Sequence, residues 1–238
     1  MERLQMQGNK IHNWTILLTV NNGFYDFFLN WRWHFKQLNI YLPISVIAED
    51  DIVFGRLTSL KDSSMEVQRS ERVSINETVA YNSPLYRSMV SERPTYILKY
   101  LKKGTDIIYS DMDTVWLQNP LPYLEGDYDI WSQMDGKTVF CTGFLAIKSN
   151  NNTKKFVQKW EDSFREKPTL NQPIFNKLVK NSTINIKALD RERFPSGIQY
   201  FEKFSKEERS GVVVVHNNWI VGHNNKIKRF QDMKLWAN

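Results

Sequence analysis

Short continuous apolar runs alternate along this chain with longer stretches whose apolar positions recur at helical spacing. Trp14 to Val20 (WTILLTV) is one such run and stops at Asn21-Asn22-Gly23. Leu42 to Ala48 (LPISVIA) is a second, closed by Glu49-Asp50-Asp51. Runs of this kind predict strands buried on both faces. Between them, Tyr25 to Leu38 spaces its aromatics as a helix does. The opening of the chain therefore predicts a strand–helix–strand unit and a parallel sheet.

The next stretch is polar. It predicts a strand over Val67 to Val73 and a loop or helix opening at Ser83-Pro84. Arg93 to Lys103 then has Pro in a first helical turn and apolar Ile97, Leu98 and Leu101. It ends in Lys102-Lys103-Gly104, cations followed by a glycine just past the helix end. Thr105 to Ser110 (TDIIYS) predicts a strand that runs into Asp111-Met112-Asp113. Tyr128 to Gln133 and Thr138 to Ile147 predict two more, the second with a central Gly143 marking a bend or a close backbone approach. Asn152 to Arg165 and Gln172 to Val179 predict helices, and Val212 to Val215 a strand ending at His216. The expected fold is α/β with a mostly parallel sheet flanked by helices. With no repeat, linker or composition break, one domain is expected over residues 1–238.

Composition narrows this picture. Hydrophobic residues make up 41% and charged residues 24% of 238 positions, which excludes disordered, collagen-like and coiled-coil chains. A chain this long buries a core without covalent staples, and its single cysteine, Cys141, forbids an intrachain disulfide. No run approaches the ~18 apolar residues of a membrane span. The opening MERLQMQGNK lacks the apolar segment of a signal peptide. Any membrane attachment is thus expected through an anchor outside this chain. The net charge is +6, with Lys226, Lys228, Arg229 and Lys234 near the end. Long basic runs with interleaved aromatics are lacking, so no nucleic-acid partner is expected. The basic tail reads as solvated surface, and the modest positive excess suits a small phosphorylated ligand.

Two features carry candidate chemistry. Asp111 and Asp113, at i and i+2 beyond the carboxyl end of a buried strand, read as an extended pair pointing to one side. Carboxylates there need a cation, and a hard divalent ion sharing phosphate oxygens would satisfy them; a turn cap is the plainer alternative. His216 closes the four-valine strand and would complete a mixed oxygen–nitrogen site suited to Mn²⁺. Lys226 and Lys228 follow within reach of phosphate oxygens. Asn171-Gln172 and Gln133-Met134-Asp135 are polar breaks between apolar stretches.

The segment Gly104 to Pro120 (GTDIIYSDMDTVWLQNP) resembles the Asp-x-Asp segment of the nucleotide-diphospho-sugar transferases of glycosyltransferase family 77. Other pieces match in order: Trp131 to Asp135, Thr142-Gly143-Phe144, Gln172 with Phe175-Asn176, Phe194 to Gly197, and His216-Asn217-Asn218-Trp219 through Gly222 to Lys226. The likeness spans roughly residues 80 to 236. It implies a GT-A fold, related to the Rossmann fold, and a retaining transfer from a UDP-sugar donor with Mn²⁺ (or Mg²⁺). Asp111, Asp113 and His216 would hold the metal. Lys226 and Gly222 would meet the diphosphate. Arg93, Ser110, Met112, Thr142 and Gly143 would line the donor site, and Thr19, Val20 and Asn21 would hold uridine. Asp135 and Gln172 would lie at the reaction centre. The chain departs from the family pattern at Asn171-Gln172, where Asp-Gln is usual. The spacer from His216 to Lys226 is also longer than in the glycogenin-like relatives, which leaves His223 as a fallback ligand.

The resemblance implies galactose, xylose or arabinose as the sugar and a protein or glycan as acceptor. It implies the Golgi lumen, with a cytoplasmic site as the alternative. A binding protein without turnover and a metal-dependent phosphohydrolase are the competing functions. Four glycosylation sequons begin at Asn13, Asn76, Asn151 and Asn181, and Asn13 opens a predicted strand. Trp116, Trp131 and Trp219 are each candidates for stacking on an acceptor sugar or for the core.

Overall fold

The computed structural model describes residues 14–71 and 74–237. The opening segment, the Asn13 sequon and the end of the strand expected at Val73 lie outside them. A seven-stranded sheet has the order β3-β2-β1-β4-β7-β6-β8. Its strands are β1 (Trp14–Val20), β2 (Ile44–Ala48), β3 (Met65–Arg69), β4 (Asp106–Ser110), β6 (Ile130–Met134), β7 (Phe140–Ile147) and β8 (Ile186–Ala188). β1, β2, β3 and β4 are parallel, β7 alone runs the other way, and β8 pairs parallel with β6. β5 (Thr114–Trp116) and β9 (Val214–His216) form a small antiparallel ribbon beside it, with Thr114 opposite His216.

The pattern explains this placement. Ile16, Leu18 and Val20 point into one apolar layer, with α1 (Tyr25–Gln37), the ribbon and Phe230 of α8 (His223–Asp232). Leu17 points into the other, under α4 (Arg93–Lys102), α5 (Asn151–Asp162) and α6 (Asn171–Lys180). Both faces are covered, so β1 and β2 read as continuous apolar runs rather than alternating ones. Trp116 and Trp131 are fully buried, and neither is open to an acceptor sugar.

Helix ends follow local chemistry. Gly104 takes φ +83° just past α4, and the amide of Thr105 bonds the Tyr100 carbonyl at 3.2 Å. α3 (Pro84–Ser91) starts at Ser83, whose hydroxyl accepts the Tyr86 amide at 3.2 Å. α2 (Asp51–Ser59) grows out of the acidic stretch that reads as a strand stop, because the Asp50 side chain caps it by accepting the Val53 amide at 2.8 Å. α7 (Lys206–Ser210) is a single capped turn preceded by a π-helical turn at Ile198–Lys203. No helix among the described residues is long and apolar enough to cross a membrane.

Candidate active site

Because β1, β2 and β4 are parallel, their carboxyl ends meet at one edge, where ligands of open α/β sheets bind. A cavity of about 680 Å³ opens there. β1 supplies Thr19 and Val20, with Asn21 just beyond its end, the turn after β4 supplies Asp111, Met112 and Asp113, and β7 supplies Thr142 and Gly143. Asp135 follows β6, Gln172 opens α6, His216 ends β9, and Gly222 and Lys226 belong to α8 and its approach. Arg93, at the first turn of α4, reaches in from below.

The acidic pair is held differently from the extended arrangement read above. Residues 111–114 form a tight turn closed by the Thr114 amide on the Asp111 carbonyl at 3.2 Å. Asp111 faces Arg93, and Asp113 faces Lys226. The His216 Nε2 lies 3.2 Å from Asp113 and 3.8 Å from Asp111. The ligand atoms of Asp111, Asp113 and His216 lie within 4.8 Å of one another, the one such cluster among the described residues. Two carboxylates and an imidazole at this spacing are a fitting donor set for Mn²⁺ or Mg²⁺. Burial works against charge on Asp113, but Lys226 and His216 outweigh it and hold its carboxyl well below the usual range. Burial likewise lowers the His216 imidazole, and Asp113 more than reverses this.

Gly143 makes the approach possible. Its carbonyl accepts the Asp111 amide at 2.8 Å, and its missing side chain leaves room for the His216 ring. Close approach, and not a bend, is its role. Behind the ring, Cys141 Sγ sits 3.4 Å from His216 Nδ1, which leaves Nε2 to face the carboxylates. Arg93 donates to the Thr142 carbonyl at 2.7 Å and hydroxyl at 2.9 Å, and stacks over Tyr109. The Tyr109 hydroxyl donates to Asp111 and bonds Thr19, both at 3.0 Å.

Some expected residues stand elsewhere. Ser110 is fully buried, and its hydroxyl bonds Thr114 and Trp116 beneath the turn instead of lining the cavity. Lys228 is exposed and pairs with Asp232 one turn along α8. Arg229 is no free surface cation, since it bonds the Asn218 carbonyl and Glu202. His223 lines the cavity but turns to Asp26 at 3.0 Å, outside the acidic cluster. Asn171 is buried, accepting from the Thr142 hydroxyl and donating to the Val90 carbonyl.

Glu49, Tyr86 and Cys141 line the cavity but were not selected by the sequence reading. Glu49 follows a buried strand as Asp111 does, and the same argument would have found it. Burial pushes its carboxyl from its ordinary value near 4.5 to about 8, against the pull of Arg93. Its stabilising share is therefore complete below about pH 4.5 and is lost as the pH climbs through about 8. Glu49→Gln is expected to flatten this decline. Urea midpoints at about pH 5 and pH 9 in EDTA test it, and parallel pH profiles for the two proteins would refute the assignment.

A cluster of two carboxylates and an imidazole, ringed by Lys226 and Arg93 beyond the strand ends, defines a class: α/β proteins built to hold a phosphate-bearing ligand. Comparison makes the class specific. Residues 42–230 match the profile of the nucleotide-diphospho-sugar transferases, and the chain belongs to that family. UDP-D-xylose:L-fucose alpha-1,3-D-xylosyltransferase 3 of Arabidopsis thaliana is 29% identical, over 93% of this chain and 66% of its own length. The UDP-galactose:fucoside alpha-3-galactosyltransferase of Dictyostelium discoideum is 27% identical, over 93% and 42%. The chain thus spans about two thirds or less of these two relatives. In fold it is similar to the glycosyltransferase GlyE of Streptococcus pneumoniae (TM-score 0.62, 12% identity, 91% of this chain and 59% of that one). It is also similar to the galactosyltransferase LgtC (TM-score 0.59, 10% identity, 93% and 94%). The fold is of the GT-A type.

Proposed function

We propose that this chain moves a sugar from a UDP-sugar to a glycan or protein acceptor with retention of configuration, giving an α-linkage with Mn²⁺ bound (Mg²⁺ as the alternative). The observation that carries this reading is the Asp111–Asp113–His216 cluster set between Lys226 and Arg93 at the cavity floor. A divalent ion held there would act as a Lewis acid on the diphosphate. Lys226 can turn from Asp113 to a phosphate oxygen, and Arg93 fixes Asp111 and the Thr142 strand beneath the donor. Thr19, Val20 and Asn21 line the same cavity, and they are the residues we assign to the nucleoside. The family relatives name xylose, galactose and arabinose as the sugar moved, and xylose and galactose are the first donors to test. The Golgi lumen is the compartment we infer from the same kinship. The two competing readings gain no support: a two-ion phosphohydrolase needs more ligands than this cluster has, and its intact donor set argues against a binding protein without turnover.

UDP release from a panel of UDP-sugars, with Mn²⁺ and with EDTA, tests the reading. Metal-dependent release from one sugar, or transfer once acceptor is added, supports it; no UDP binding with Mn²⁺ refutes it.

Front-face attack, guided by the leaving phosphate, is the route we favour. Asp135 lines the cavity and is the carboxylate that the family resemblance assigns to the reaction centre. Both its oxygens are engaged: Gln172 donates to one at 2.8 Å, and Asn218 and Trp219 donate to the other at 3.0 and 2.6 Å. A nucleophile would have to break these bonds. Asp135→Asn is therefore expected to slow turnover by about 10-fold, the loss of a positioning contact, and not by the ~10⁴-fold or more that follows loss of a nucleophile. A loss of the larger size, restored by azide, would make Asp135 the nucleophile.

A further inference from the structure

Three polar residues stand one position past the ends of adjacent parallel strands: Glu49 after β2, Asn21 after β1 and Asp111 after β4. Glu49 lies two residues beyond Ile47, and Asp111 two beyond Tyr109. Ile47 and Tyr109 both point into the apolar layer under α4, so alternation aims the two acids toward one side of the sheet. The Glu49 amide donates to the Val20 carbonyl at 2.8 Å, which fixes it beside the end of β1.

The neighbours of Glu49 in this row are all engaged. Asp111 is taken by Arg93 and Tyr109, and the Thr19 hydroxyl by Tyr109. The Asn21 side chain donates to the Glu77 carbonyl at 2.8 Å. Asp50 accepts the amides of Asn22 and Val53 at 2.6 and 2.8 Å. Glu49 differs. Its carboxyl has no hydrogen bond or ion pair among the described residues, yet the residue is only 4% exposed and lines the cavity. Arg93, the cation that acts on it most strongly, has a buried Nε that also lacks an acceptor. A buried carboxyl without partners costs free energy, and here the only groups that can supply them are those that enter the cavity.

Position selects which part of a nucleotide this is. Neighbouring strands lie about 4.8 Å apart, so β2 stands two spacings, or about 10 Å, from the strand that leads into the acidic turn. Phosphates held at Asp111 are out of its reach. Glu49 sits instead beside Asn21, on the side assigned to the nucleoside. The groups of a nucleoside that both donate and accept are its ribose hydroxyls. Burial pushes the Glu49 carboxyl up to about 8, so near neutral pH it is mostly the acid, with a donor and acceptor of its own. A vicinal diol therefore satisfies it without an uncompensated charge. In dinucleotide-binding sheets of the order 3-2-1-4, which these strands share, an acidic side chain likewise takes the ribose 2′-hydroxyl. We infer that Glu49 is a specificity-determining residue of the donor site, its carboxyl bonding the ribose 2′- and 3′-hydroxyls of the nucleotide. This inference rests on the transferase reading above and deepens its donor half.

Calorimetry in Mn²⁺ measures the binding of UDP and 2′-deoxy-UDP to the unmodified protein, Glu49→Ala and Glu49→Gln. The unmodified protein is expected to bind UDP about 10-fold more tightly than 2′-deoxy-UDP. Glu49→Ala is expected to lose about 10-fold in UDP affinity and to bind the two nucleotides within about 2-fold of each other. Glu49→Gln keeps a donor and an acceptor, and is expected to stay within about 3-fold of the unmodified protein and to keep its preference. Mn²⁺ affinity without nucleotide is expected to be equal in all three, which a merely structural role would not leave intact. Four results would overturn the inference: equal affinity for UDP and 2′-deoxy-UDP in the unmodified protein, a loss in Glu49→Ala that is the same for both, a loss that tracks weakened Mn²⁺ binding, or a loss with UDP-sugars and none with UDP, which would assign Glu49 to the transferred sugar. Failure of the unmodified protein to bind UDP at all would instead overturn the transferase reading, and this one with it.

Discussion

Gly143→Ala is expected to abolish divalent-ion binding and reduce transfer by about 100-fold or more while leaving the protein folded. The reason lies in what a methyl group would meet. An added Cβ falls 2.3 Å from the Cε1 of His216, 2.7 Å from an Asp111 carboxylate oxygen and 2.9 Å from the His216 Nδ1. No carbon tolerates those distances, so something must move. Both neighbours are side-chain ends, which can swing aside. Backbone strain is no obstacle, because Gly143 has no left-handed φ. The fold therefore yields cheaply, by about 1–3 kcal/mol, typical of overpacking. The atoms that swing aside are two members of the ligand cluster itself. Titration with Mn²⁺ by calorimetry, alongside thermal unfolding, separates the two effects. Ion affinity equal to that of the unmodified protein would show that the glycine is not what brings the cluster together.

The same geometry shows why part of the site was legible in the residues and part was not. β1, β2 and β4 are buried on both faces, and burial writes itself as an unbroken apolar run. Once these are parallel, residues just beyond their ends must converge, so Asp111 and Asp113 could be placed before the fold was known, while Asn21 entered through the resemblance alone. Ser110 could not share their direction. It sits one residue before Asp111 on a strand, and successive side chains there point to opposite faces. The resemblance carried it into the donor site, and alternation puts it under the turn. α2 was hidden for another reason. Gly55, Thr58 and Ser59 are weak helix formers, and the helix depends on the Asp50 cap and on burying Val53 and Leu57. The three-residue strands β5, β8 and β9 are too short for any period to register, yet β9 carries His216. The bond from the Gly197 amide to the Asn218 side chain joins residues far apart in the chain, and only the folded structure brings them together.

The second large effect concerns stability. Arg93→Met is expected to lower unfolding free energy by about 3–5 kcal/mol, the usual cost of leaving one member of a buried ion pair alone. Arg93 is buried, with its guanidinium shared between Asp111 and the Thr142 carbonyl and hydroxyl. It is also the cation that most strongly draws down the Glu49 carboxyl. Methionine keeps much of the volume and the packing over Tyr109, so the loss is mainly of charge and donors. Asp111 would keep the Tyr109 hydroxyl but lose its buried cation. If the cost is an orphaned charge, removing that charge must restore much of it, because replacing both partners of a buried pair can be close to neutral. Asp111→Asn in the Arg93→Met background is therefore expected to recover about half of the loss or more. Urea unfolding of the four proteins near pH 7, without metal, gives the coupling directly. Additive losses would mean that Arg93 stabilises the fold through Thr142 and Tyr109 alone, and that its contact with Asp111 serves the ligand and not the fold.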